Sequence, residues 1–189
     1  MNVFDFDKTI YDGDSTTHFC IFIAKRYPKV ILSFICALPT VFKYKFGKIS
    51  KTEMKERLYK AFSCVSDMNG EVERFWEKHF KRIEKWYLEI KRPDDVVISA
   101  SPEFLLQIPI EKLGIGTLIG SRVDMKSGKY EGLNCYGEEK VKRFAEHFGE
   151  GYLSLSDNFY SDSYSDSPMA RISKNAYIIK KHKPLPWKK

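Results

Sequence analysis

The chain has 189 residues, 43% hydrophobic and 30% charged, an ordinary composition for a folded domain or a core with a modest insertion. A net charge of +7 suits an anionic partner: a phosphate ester, a nucleic acid or an acidic membrane surface. The longest apolar stretch, Val30 to Phe42, contains Pro39 and falls short of the roughly 20 residues a membrane-spanning helix needs, so no spanning helix is expected.

Residues 2–6 are apolar and run into two acids, Asp5 and Asp7, as a buried parallel strand does when it ends at a site. Asp12-Gly13-Asp14-Ser15 marks a turn and a helix start. From Thr16 to Ile90 the pattern is helical. Phe19, Phe22, Ile23 and Tyr27 recur at helical spacing. Ser50-Lys51-Thr52-Glu53 is a capping box that opens a helix carrying Met54, Leu58 and Phe62 on one face. Val72, Phe75, Trp76, His79, Phe80, Ile83 and Tyr87 form a further stripe. With no strand pattern between them, residues 14–90 read as an all-helical insertion.

Val96-Val97-Ile98 is a second short buried strand, ending at Ser99. Ser101-Pro102-Glu103 reads as a helix start, with Ser101 as N-cap and Pro102 at the first helical position. Residues 116–123 read as a strand, and Gly128, Tyr130 and Gly132 suggest a hairpin. A helix is expected over 138–148, closed by Gly149. Residues 152–156 read as a strand, 164–171 as a short helix and 176–179 as the last strand. The alternation predicts an α/β fold, a parallel sheet with helices on both faces. Ligands in such folds bind beyond the carboxyl ends of the strands, where Asp5, Asp7, Ser99 and Asp162 are expected to converge.

Hydrolysis of a phosphate ester needs a nucleophile, a proton for the leaving group, and positive charge to offset repulsion. Asp5 and Asp7 occupy alternate positions at a strand end, so one carboxylate can attack while the other handles protons. Asp5 and Asp162 could bind magnesium, a cation that takes hard oxygen ligands. Lys140 could add positive charge, and Ser99 and Thr9 could donate hydrogen bonds to phosphoryl oxygens. Each has a plainer reading: an Asp-x-Asp at a strand end can be a polar turn, and Lys140 a solvated helix residue. The four histidines show no metal-ligand spacing. The four scattered cysteines read as buried free thiols in a reducing compartment, hence a cytoplasmic protein.

The ordered motifs resemble the haloacid dehalogenase superfamily of phosphatases, subfamily IB. They are Asp5-Phe6-Asp7-Lys8-Thr9, then Val96-Val97-Ile98-Ser99-Ala100, then Lys140 in Gly137-Glu138-Glu139-Lys140, then Asp162-Ser163-Tyr164-Ser165-Asp166. The resemblance spans nearly the whole chain. It implies a Rossmann-like core of residues 1–13 and 91–189, with 14–90 as a helical cap. It implies a magnesium-dependent phosphatase in which Asp5 forms a phosphoaspartyl intermediate and Asp7 protonates the leaving oxygen and then activates water. Asp5, Asp162 and the Asp7 carbonyl would hold the metal. Thr9, Ser99, Ala100 and Lys140 would bind the substrate phosphate, and Asp166 with Ser163 would support them. Lys8 departs from the glycine often found there. Ser101 rivals Ser99 but is assigned to the helix cap. Asp157 rivals Asp162 but lacks a second acid four residues on.

Within the subfamily, residues 128–140 and the apolar insertion segment look most like the phosphatidylglycerophosphate phosphatase C-type and phosphoserine phosphatase-like branch. The expected substrate is a small phosphorylated metabolite. The alternatives are a lipid phosphate taken at a membrane surface, transfer of the phosphoryl group to a second alcohol, and a non-catalytic phosphate-binding or nucleic-acid-binding protein. The acid set argues against nucleic acid. Val30–Phe42, flanked by basic residues, resembles an interfacial anchor; the competing reading makes it the cap's own core.

Overall fold

A computed structural model describes residues 1–188; Lys189, the last residue of the expected core, lies outside the described residues. Six strands form one sheet: β1 (Asn2–Phe4), β2 (Val96–Pro102), β3 (Thr117–Ser121), β4 (Asn158–Ser161), β5 (Asn175–Lys180) and β6 (Lys183–Pro186). Their order is β3-β2-β1-β4-β5-β6. The first five run parallel and β6 is antiparallel to β5. Strand order reverses between β1 and β4, which opens a crevice beyond their carboxyl ends.

Between β1 and β2 the chain forms five helices: α1 (Ser15–Ala24), α2 (Pro28–Lys45), α3 (Lys51–Tyr59), α4 (Met68–His79) and α5 (Lys85–Ile90). Ser50 and Glu53 make the capping box at α3, each side chain bonded to the other's backbone N–H, at 3.1 and 2.8 Å. The buried side chains of these helices run without a break into those of the sheet. Phe4 packs edge-on against Tyr87 and stacks on Tyr160, and Trp76 donates its indole N–H to the Leu105 carbonyl at 2.6 Å. Val3, on the opposite pleat, meets Phe144 and Phe159 beneath α7 (Glu138–Phe148). Both faces of β1 are therefore covered, which explains its unbroken apolar run.

Four expectations need correction. The strand near 152–156 is a single 3-10 turn over Tyr152–Ser154, because Gly149 and Gly151 turn the chain at positive φ; the paired strand is β4. The chain does not end its sheet at β5, since Lys181 and His182 turn it back into β6. Helix α6 (Glu103–Leu113) begins at Glu103 with Pro102 before it and no side-chain cap, so Ser101 is not an N-cap. The cysteines are all free, but only Cys135 is buried; Cys36 is exposed on α2. As for Val30–Phe42, Val30, Ala37 and Thr40 face inward as part of the cap's own packing, while the opposite side of α2 is exposed.

Candidate active site

Asp5 follows β1, its backbone N–H bonded to the Tyr160 carbonyl of β4 at 2.8 Å. The chain then folds back, with the N–H groups of Thr9, Ile10 and Tyr11 all directed at the Phe6 carbonyl. The turn needs Lys8 at φ +57°, a left-handed conformation that glycine adopts at little cost. That is the physical reason a glycine would also suit this position. Thr9 is buried; it does not line the cavity and its hydroxyl finds no partner, so the structure does not bring it to the site as a phosphate contact.

Lys140, on the first turn of α7, reaches across the sheet edge. Its Nζ lies 2.7 Å from Asp5 Oδ1 and 2.7 Å from Asp166 Oδ2. Asp166 Oδ2 also accepts from the Ser161 hydroxyl at 2.8 Å. The lysine is 1% exposed, so its solvated reading fails. Burial alone would discharge its ammonium, but Asp5 and Asp166 outweigh burial and hold its pKa above the usual lysine range. Burial pushes the Asp5 carboxyl up to about 8, against the opposing pull of Lys140.

Asp7 is held from the other side. Ser15 donates its backbone N–H to Asp7 Oδ1 at 2.7 Å from the start of α1, and Ser101 donates its hydroxyl to Oδ2 at 2.5 Å. Thr16 Oγ1 lies 2.7 Å from the same Ser101 hydroxyl. Burial, then the charge of Asp14, raises the Asp7 pKa, with the Ser101 and Ser15 hydrogen bonds opposing. A carboxyl that keeps its proton more readily suits proton delivery.

Ser99 is buried at the cavity wall; its Oγ accepts the Ser101 N–H at 3.1 Å, and its own proton has no acceptor among the described residues. Ser101 is thus committed to Asp7, while Ser99 keeps a free donor at the cavity wall, which favours Ser99 as the phosphate contact. Ala100, Asp162 and Ser163 also line the cavity. The Ala100 carbonyl accepts from Lys55, and Ser163 Oγ is 2.9 Å from Ser165 Oγ. Burial raises the Asp162 pKa, with Lys8 opposing. Asp157 stands at the other end of β4, paired with the chain's amino terminus and Lys174, both at 2.7 Å, which removes it as a rival.

The cavity has a volume of about 530 Å³. One wall carries these acids and Lys140. The other is apolar, built from Cys20, Ile21, Ala24, Phe34, Met54 and Leu58 of the first three helices. Two lysines of α3, unforeseen from sequence, enter it one turn apart. Lys55 Nζ donates to the Ala100 carbonyl at 2.9 Å and to Asn134 Oδ1 at 2.8 Å. Burial, with Lys51 adding to it, lowers its pKa to about 8. Lys51 Nζ sits 3.4 Å from the centre of the Tyr136 ring. The only available signal was their four-residue spacing behind the capping box, which does not say where that face points.

The donor set fits a hard divalent cation. Asp5 and Asp162 offer carboxylates to one cavity, and burial raises both of their pKa values, a condition that a divalent charge reverses. Among the described residues no three carboxylates of this set come within 4.8 Å of one another. With the Asp7 side chain tied to Ser15 and Ser101, the set would offer a cation the two carboxylates of Asp5 and Asp162 and the Asp7 backbone carbonyl.

A model of haloacid dehalogenase-like hydrolases matches residues 3–171. A probable phosphatase of Mycobacterium tuberculosis is 34% identical over 90 residues, 46% of this chain and 31% of that protein's length; the matched stretch thus spans about a third of that relative. A crystal structure of a Bordetella pertussis protein of unknown function superposes with a TM-score of 0.80 at 19% identity, covering 94% of this chain and 88% of that one. A phosphoserine phosphohydrolase-like protein of Francisella tularensis gives 0.60 at 16% identity, covering 96% and 88%. These likenesses show a shared fold. With a family model matched over most of its length, the chain belongs to the haloacid dehalogenase-like hydrolases.

Proposed function

We propose that the protein is a magnesium-dependent phosphomonoester hydrolase of the subfamily IB type, with residues 14–90 acting as the cap over a core of 1–13 and 91–189. The observation that carries this is the bridging of Asp5 and Asp166 by buried Lys140, opposite an Asp7 held by Ser15 and Ser101.

In this reading an Asp5 carboxylate oxygen attacks phosphorus, and the bond from phosphorus to the ester oxygen breaks. Asp7 gives its proton to the departing oxygen, releasing the alcohol. The Asp7 carboxylate then takes a proton from water. That water attacks the phosphorus of the aspartyl phosphate, the bond to Asp5 breaks, and inorganic phosphate leaves. Lys140 offsets charge on the transferring group, Asp166 fixes Lys140, and the Ser99 hydroxyl and the Ala100 backbone face the phosphoryl oxygens, with Ser163 supporting the Asp162 loop. Asp5, Asp162 and the Asp7 carbonyl would hold magnesium, which supplies further positive charge at the phosphoryl oxygens. Lys55 adds a cation from the cap side.

The substrate is a small phosphate ester, and a non-catalytic nucleic-acid-binding role suits this carboxylate-lined cavity poorly. The apolar wall of the cavity favours one second reading, an ester with an apolar chain, as in a lipid phosphate. The four free cysteines fit the reducing cytoplasm. A panel of soluble and lipid phosphate esters, assayed with and without magnesium beside Asp5→Asn, tests the reading. Magnesium-dependent turnover lost in Asp5→Asn supports it; turnover that survives the substitution refutes it.

A further inference from the structure

Helix α2 is apolar on both sides. Its inner side, with Val30, Ala37 and Thr40, is buried, and the helix packs on α3 and the 3-10 turn at Lys60–Cys64. At 100° per residue, Ile31, Ile35, Leu38 and Phe42 fall along the opposite line, with Leu32 and Pro39 beside them. Exposure on this outer line runs from 47% at Ile31 to 60% at Phe42, and Phe46 just beyond reaches 75%. A helix apolar all round is normally covered on all sides. A contiguous exposed patch of this kind marks an interaction surface.

The charge around the patch identifies the partner. Residues 15–52 contain no Asp or Glu and seven cations: Lys25, Arg26, Lys29, Lys43, Lys45, Lys48 and Lys51. Among the described residues only Arg26 of these has a carboxylate partner, Glu71. Lys29 stands at one end of the apolar line, and Lys43, Lys45 and Lys48 at the other. A second copy of the chain docked face to face brings lysines against lysines in either the parallel or the antiparallel arrangement, with no acid of this segment to offset them. An anionic bilayer offers an apolar interior for the face and negative headgroups for both ends at once. Among the described residues no helix is long and apolar enough to cross a membrane, and the inner side of α2 is already packed, so the helix can lie on the surface but not span it.

We infer that the outer face of α2 docks the protein on an anionic membrane surface. Phe34 of the same helix lines the cavity, so the docked helix is also part of the cavity wall. The inference stands on α2 and its charges, apart from any assignment of the reaction.

The test is co-sedimentation of the full chain with vesicles of phosphatidylglycerol and phosphatidylcholine, and with phosphatidylcholine alone, at low and high salt. The chain should pellet with the anionic vesicles, less so in high salt and little with phosphatidylcholine alone. Leu38→Glu/Phe42→Glu should weaken partitioning by about tenfold or more. Neither residue lines the cavity, so its circular dichroism and its hydrolysis of p-nitrophenyl phosphate should match the parent. Lys43→Glu/Lys45→Glu, at exposed positions, probes the electrostatic half and should also release the protein. A chain that stays in the supernatant with anionic vesicles overturns the inference, as does equal pelleting of both variants. So does light scattering that shows a dimer which Leu38→Glu/Phe42→Glu converts to monomer, since the face then belongs to a second copy. Vesicle binding without phosphatase turnover in the parent would leave the docking intact and count against the proposed reaction.

Discussion

Lys140 Nζ stands 2.7 Å from Asp5 Oδ1, a contact between residues 135 apart that ties the first turn of α7 to the end of β1. The same ammonium holds Asp166 at 2.7 Å, so a single buried cation serves two buried carboxylates. Removing it leaves both without a counter-charge. Lys140→Ala should cost roughly 3–5 kcal/mol of stability, the usual scale for breaking a buried pair, and abolish turnover. Urea denaturation checks the first and steady-state kinetics the second. Magnesium should restore part of the lost stability by supplying charge beside Asp5.

Ser99 and Ser101 should separate in kinetics. The Ser101 hydroxyl orients Asp7, so Ser101→Ala should lower kcat by about tenfold, from loss of one hydrogen bond to a charged partner. Ser99 has a free donor at the cavity wall, so Ser99→Ala should act chiefly on KM. The reverse pattern would exchange their roles.

Asp7→Asn keeps an oxygen for the Ser15 N–H but has no proton to deliver. It should fold like the parent and lose a factor on the order of 10²–10⁴ in kcat. The loss should be smaller with a leaving group that departs without protonation, such as p-nitrophenol.

Lys55 predicts a pH dependence on the basic side. Burial lowers its pKa to about 8, so its folded value lies below its unfolded one. Charging Lys55 is disfavoured in the fold, so stability falls as pH drops from the ordinary lysine value of 10.5 toward 8 and levels off below it. For substrate binding the direction is opposite, because the cation is present below pH 8 and lost above it. KM should therefore rise as pH passes 8, by roughly tenfold when a charged hydrogen bond is lost. In Lys55→Arg, whose guanidinium stays charged, the rise should disappear. A KM profile from pH 6.5 to 9.5 on both chains measures this.

Much of the core was legible in the chain. Short β-branched or apolar runs ending in polar residues located β1 and β2, and the Gly149 stop located the end of α7, because these signals are local. What failed depends on partners distant in sequence. Residues 152–156 alternate like a strand, yet sheet pairing falls on Asn158–Ser161, whose register is fixed by Asn2–Phe4. The Ser-Pro-Glu sequence at 101–103 looks like a cap, but the Ser101 hydroxyl has a better acceptor in Asp7, 94 residues away. Lys55 was invisible as a cavity residue because helix periodicity does not say which face meets the sheet edge. The same limit applied to α2, whose two apolar sides read alike until one was packed and the other left bare.

In the proposed mechanism Asp5 carries the phosphoryl group. Rapid quenching of the enzyme during turnover of a phosphate ester with magnesium, followed by borohydride reduction and peptide mass spectrometry, tests it directly. An aspartyl phosphate is reduced to homoserine, so homoserine is expected at position 5 and nowhere else, and is expected to be absent from the Asp5→Asn chain. Turnover with no reducible residue, or with homoserine at Asp7, Asp162 or Asp166 in place of Asp5, would contradict it.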